Sequence, residues 1–171
     1  MSDPGRPTPK RVVTGRIRPR RIPGVHDIVG FFRHLGRPSR ISTLRAVGDG
    51  GYVAWTLKRR GIRPLLGPTP SHATPDAAGA GLISEAVDAG LGVLPAAPTC
   101  LRRSVTLIRE LNRLGLASTL HIGVRSVDGG VIGAHAWVQV EDVVVNDDPE
   151  QTGTYTELAV GELDRLLPLL R

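Results

Sequence analysis

The chain has 171 residues, of which 40% are hydrophobic and only 4% aromatic, and it carries a formal charge of +6. That length supports one core of moderate size, built from Leu, Val, Ile and Ala, rather than two separate cores. No apolar run of about 18 residues and no hydrophobic N-terminal region occurs, which argues against a membrane-spanning helix or a secretory signal and predicts a soluble, cytoplasmic protein.

The charge is concentrated at one end. Residues 1–21 hold Arg6, Lys10, Arg11, Arg16, Arg18, Arg20 and Arg21 against Asp3, so this segment alone accounts for the +6 and leaves the remainder balanced at 15 basic and 15 acidic side chains. A Pro-rich basic stretch with few apolar residues cannot bury enough surface to order itself, and 1–21 is predicted to be a flexible basic tail. It reads as a solvated tail or as an arm for an acidic partner; with no interleaved aromatics or nucleic-acid-binding motif, nucleic acid is not an expected partner.

Val25, Ile28, Val29, Phe32 and Leu35 have helical spacing up to Gly36, and His26 and His34 on this piece read as surface residues. Residues 38–47 contain a capping-type Ser39 or Ser42 but too short a period to assign. Asp49-Gly50-Gly51 reads as a turn, and Tyr52 to Arg60 as a helix stopped by Gly61, with its basic end suited to the dipole. Residues 22–60 are thus predicted as an N-terminal helical region. Residues 61–81 carry Pro64, Pro68, Pro70 and Pro75 and read as a loop of about twenty residues, a length typical of lids, flaps and mobile connectors. Leu82 to Leu91 returns to helical spacing, and Gly92 to Ala97 is extended.

Cys100 is the only cysteine, so it works as a thiol or bonds another molecule; a free thiol also agrees with a reducing compartment. Pro98-Thr99-Cys100 reads as a helix start, with Thr99 as N-cap, Val105, Ile108, Leu111 and Leu114 on one face, and Gly115 as the stop. A thiolate in the first turn is stabilised by the dipole and by unpaired N–H groups, and those same groups suit a developing oxyanion.

A nucleophilic cysteine needs a base and the base an orienting group. Thr119 to Arg125 alternates as a strand with Leu120, Ile122 and Val124 inward; Asp128-Gly129-Gly130 is a turn; Val131 to Gln139 alternates again, with His135, Trp137 and Gln139 opposite Ile132, Ala134, Ala136 and Val138; Val143 to Asp147 returns. Register then decides the site. A two-residue turn at Glu141-Asp142 puts Asp147 on the opposite face from His135, whereas a three-residue loop, Val140 to Asp142, with Asp142 left-handed, puts Asp147 across from His135. The second register is adopted here, with the catalytic arrangement in view. Beyond it come a turn at 149–153, a short strand or loop at 154–160 and a C-terminal helix at 162–170, limited by Pro168.

Cys100-Leu101-Arg102-Arg103-Ser104, Leu120-His121-Ile122-Gly123-Val124-Arg125, Ala134-His135-Ala136-Trp137-Val138 and Val145-Asn146-Asp147 together resemble the signatures of the leader peptidase of lasso-peptide biosynthesis, over roughly residues 80–150. The resemblance implies an α+β fold with a transglutaminase-like, papain-related cysteine protease core at 82–171. It implies Cys100 as nucleophile, His135 as base and then acid, and Asp147 as the group that orients His135. It further implies a precursor peptide as substrate, a separate leader-recognition protein and an ATP-dependent macrolactam cyclase as partners, and no cofactor.

Alternatives stand beside this. A lone cysteine is often simply buried. His121 is a rival base or a substrate contact, Thr99 supports Cys100, and Asp148 replaces Asp147 if the register slips by one. Trp137 either shields the His135–Asp147 bond or merely packs, and Asn146 reads as a structural polar residue. One cysteine with scattered histidines gives no zinc ligand set, and Gly48-Asp49-Gly50-Gly51 lacks a phosphate-loop context. An acyltransferase on the same triad and a non-catalytic peptide-binding module are the competing functions.

Overall fold

The computed structural model describes residues 37–67, 72–127 and 131–158. The tail, the 22–36 helix, the Asp128–Gly130 turn and the C-terminal helix expected at 162–170 lie outside the described residues.

Three helices cover one face of a four-stranded antiparallel sheet. Helix α1 runs Arg37–Arg60, α2 Ala77–Gly92 and α3 Cys100–Arg113; strands β1 Thr119–Val127, β2 Val131–Val140 and β3 Val143–Val144 follow, then a short helix α4 Pro149–Thr152 and β4 Thr156–Glu157. The strand order is β3-β2-β1-β4. Among the described residues no helix is long and apolar enough to cross a membrane.

Helix α1 corrects the expected turn at Asp49-Gly50-Gly51. The chain passes through these residues as helix because Asp49 and Gly50 are both used where they stand. A Cβ on Gly50 would lie 2.5 Å from a Leu91 side-chain carbon and 2.9 Å from one of Leu94, so glycine is what lets α1 and α2 close on each other. The Gly50 carbonyl accepts a hydrogen bond from Arg102 Nε at 3.0 Å. Asp49 is paired with Arg113 of α3, whose guanidinium is held above its ordinary pKa chiefly by that bond. Local propensity favoured a break; tertiary packing overrode it. The assignment of α1 from Tyr52 to Arg60 agrees with the sequence reading.

Helix α2 begins five residues before the expected Leu82, because Asp76 caps it by accepting a hydrogen bond from the Gly79 N–H at 2.9 Å. The loop before it is shorter than the expected 61–81 and is pinned at both ends. Ile62 and Leu65 are buried, the latter in a single 3-10 turn, and Thr74 bridges to the segment after α3 through Ala117 N–H at 2.9 Å and the Gly115 carbonyl at 3.0 Å.

Two apolar clusters hold the helices to the sheet. One joins Ala46 of α1, Ile83, Val87 and Leu91 of α2, Leu107, Ile108 and Leu111 of α3, and Val138 and Val140 of β2. The other joins Val53, Ile62, Leu65, Val105, Ile122 and Ala136. Leu114, expected on the apolar face of α3, instead follows the helix end and is 39% exposed. At the C-terminal end of α3, Glu110 is buried and accepts hydrogen bonds from Ser42 of α1 at 2.7 Å and from Arg113 at 3.1 Å. A buried carboxylate without such hydrogen-bond partners carries a large desolvation cost.

Candidate active site

Cys100 is the first residue of α3. The helix starts there because Thr99, in extended backbone, caps it: its Oγ1 accepts from the Arg102 N–H at 3.2 Å, and its carbonyl from the Arg103 N–H at 3.0 Å. The thiol is free and half-buried, packed on the cluster that includes Ala136, the residue after His135. Thr99 thus acts on Cys100 through the backbone, by fixing where the helix begins.

His135 and Asp147 meet. His135 Nε2 lies 2.6 Å from Asp147 Oδ2, with both side chains less than a fifth exposed. The other carboxylate oxygen, Oδ1, accepts from the Asp148 N–H at 2.8 Å. Asp148 does not replace it. The Asp148 side chain instead caps α4 by accepting from the Glu150 N–H at 2.8 Å.

The pair forms in the register expected to prevent it. Val140 faces Val143 and Gln139 faces Val144, so the turn is the two-residue Glu141-Asp142 and the expected three-residue loop is overturned. The left-handed residue is Glu141, with φ 52°, not Asp142. Asp147 still reaches His135 because the strand ends at Val144. Period-two alternation ceases to bind the chain beyond that point, and the next residues bend.

Around His135 the sheet face carries a row of rings. Trp137, 1% exposed, is stacked between two imidazoles, with centroids 5.8 Å from His121 and 6.2 Å from His135. Tyr155 stacks on His135 at 5.1 Å, and the Arg125 guanidinium lies 4.7 Å from the Tyr155 ring centroid. Gly123, paired with His135 across the strands, makes the room: a Cβ there would sit 2.7 Å from Tyr155 Cβ and 3.0 Å from the Trp137 ring. His121 shares this face but pairs with Glu157, Nδ1 to Oε2 at 3.2 Å, so it is not joined to Asp147.

Arg103, one turn into α3, donates from Nε and Nη2 to the two carboxylate oxygens of Asp88. Burial pulls the pKa of its guanidinium down. The bond to Asp88 and the charges of Asp88, Asp147 and Cys100 outweigh that and hold it above its ordinary value. A fixed cation therefore stands in the field of both the sulfur and the carboxylate.

Tyr155, Arg103 and Gly123 are the contributors that sequence reasoning did not place, whereas Asn146, read as a structural polar residue, is buried and hydrogen-bonded in the bend before Asp147. An isolated glycine inside a strand signals close approach of a neighbour, so Gly123 was open to inference; Tyr155 and Arg103 carry no such local mark. Among the described residues, no group of three His, Cys, Asp or Glu is arranged to hold a metal ion.

A helix-start thiol packed against an antiparallel sheet that carries His135, with Asp147 brought to it by the bend after β3, defines an α+β, papain-related class of domain. The chain belongs to the transglutaminase-like superfamily, whose family model matches residues 49–160, more than half of its length. That superfamily generally contains cysteine proteases and acyltransferases. The match opens within α1 and closes beyond β4, enclosing Cys100, His135 and Asp147. Neither the curated proteins nor the solved structures give a significant match.

Proposed function

We propose that this protein is a cysteine peptidase that removes the leader from a ribosomally made lasso precursor, with Cys100, His135 and Asp147 as its triad. The observation that carries the reading is the 2.6 Å contact of His135 Nε2 with Asp147 Oδ2. An ionised carboxylate can only accept, so this contact commits the Nε2 proton to Asp147 and leaves Nδ1 as the nitrogen that serves the thiol.

In the reaction, Cys100 sulfur attacks the carbonyl at the leader–core junction, and the N-terminal N–H groups of α3 stabilise the oxyanion. His135 gives the thiol's proton to the departing amine, which frees the core peptide and leaves the leader as a thioester. Water, deprotonated by His135, releases the leader and restores the thiol. The core's new N-terminus passes to an ATP-dependent macrolactam cyclase, and a separate leader-recognition protein delivers the precursor. Signature motifs at Cys100, His121, His135 and Asp147 support this assignment over other members of the superfamily.

The test is incubation of the chain with precursor and recognition protein, followed by mass analysis. Expected are two fragments whose masses sum to precursor plus water, slow cleavage without the helper, and none with Cys100→Ala. A product carrying an added amine would assign the acyltransferase reaction instead. Undiminished processing by Cys100→Ala would end both.

A further inference from the structure

We infer that Asn146 is a positioning residue: its side-chain amide ends β3 and turns Asp147 onto His135. In an antiparallel ladder whose partners are Val140 with Val143 and Gln139 with Val144, Val138 and Val145 come next and exchange two hydrogen bonds. Only one is made between the backbones: the Val145 N–H donates to the Val138 carbonyl at 3.0 Å. The Val138 N–H donates instead to Asn146 Oδ1, at 2.7 Å. A side-chain carbonyl has taken the place of the next backbone carbonyl.

The consequence is an exchange of faces. Had the ladder continued, Asn146 would lie opposite Trp137 and Asp147 opposite Ala136, so Asp147 would point at the helices and Asn146 would share the His135 face. The reverse is found. Asn146 is 4% exposed, and its Nδ2 donates to Ser104 Oγ of α3 at 2.9 Å. Ser104, fully buried, in turn donates to the Ala136 carbonyl at 2.9 Å. The amide and the hydroxyl thereby tie the bend to both β2 and α3, the helix that begins at Cys100. A buried amide satisfied on both atoms is costly to displace, so Asp147 is held by its neighbour's anchorage.

This deepens the triad reading, and the first readout of its test needs no substrate. Ring ¹⁵N shifts of His135, assigned with His135→Gln, report which nitrogen carries the proton in the neutral imidazole. The wild type is expected to hold it on Nε2. Asn146→Ala frees the Val138 N–H to resume the ladder, so Asp147 is withdrawn and the Nε2 preference is lost to the same extent as in Asp147→Ala. The double variant shows no further change, the mark of a residue acting through another. Turnover of precursor falls about 100-fold, as misplacement near 1 Å can produce, with KM little changed. Ser104→Ala keeps the Val138 bond and is expected to lose part of the preference; it stands in if Asn146→Ala does not fold. A folded Asn146→Ala with the wild-type tautomer, or in its absence a folded Ser104→Ala with the wild-type tautomer and turnover, overturns the inference. Failure of the wild type to cut any precursor would instead overturn the peptidase and leave the tautomer result standing.

Discussion

Two imidazoles lie on one face of the sheet, on either side of Trp137, and each has a carboxylate partner. His135 meets Asp147 at 2.6 Å with both side chains mostly shielded, whereas His121 meets Glu157 at 3.2 Å with Glu157 49% exposed. Residue types, face and ring contacts are nearly matched; anchorage is not. Asp147 follows a buried asparagine bonded to two elements, while Glu157 sits on a two-residue edge strand. A charge-assisted bond is worth most where water and side-chain freedom are both removed. The difference teaches that a histidine–carboxylate pair becomes a candidate for chemistry through what holds the carboxylate.

The sharpest way to break this comparison is to remove each imidazole in turn. His135→Ala is expected to lower precursor cleavage by about a millionfold, the size of the loss when the histidine of a catalytic triad is removed, while circular dichroism stays unchanged. The same substitution at His121 leaves the proposed base in place. If His121→Ala caused the larger loss, the roles assigned to the two pairs would be exchanged.

A second prediction concerns the space both rings share. Gly123→Ala would push a methyl group against Tyr155 Cβ and the Trp137 ring, neither of which is the far end of a flexible chain. Overpacking of this kind costs about 1–3 kcal/mol. For a domain of this size that is a fall in Tm of several degrees. Cleavage by the folded fraction should fall as well, since Tyr155 stacks directly on His135. Unchanged Tm and activity would show that the stack is looser than its distances imply.

Legibility in the sequence was uneven, for physical reasons. Thr99, Cys100 and Gly115 announced α3 because a cap, a first turn and a stop are local devices. The alternation through His135 and Trp137 announced β2 for the same reason. The pairing of His135 with Asp147 was expected, but through a register the chain does not use. Asn146 substitutes for a backbone carbonyl, and only its partners in three dimensions reveal that. Likewise, Asp49-Gly50-Gly51 looks like a turn until Leu91, Leu94, Arg102 and Arg113, all distant in sequence, are seen to require it as helix.

The smallest effect belongs to Glu157→Gln, and it sharpens the comparison because a null result is informative. Glu157 is half-exposed, so its contact with His121 is weakened by solvent and by the entropy of holding an exposed side chain, and exposed pairs of this kind contribute about 0–1 kcal/mol. The amide still fits and can still hydrogen-bond the imidazole. Its backbone still pairs with Gly123, which leaves β4 in place. Urea midpoints of wild type and variant should therefore agree within about 0.5 kcal/mol of stability, and cleavage within about twofold. Asp147→Asn also preserves shape, yet there the carboxylate's charge and acceptor role are the property in use, so cleavage should collapse as for His135→Ala. Equal sensitivity of the two sites to loss of one charge would mean that shielding and anchorage do not distinguish them.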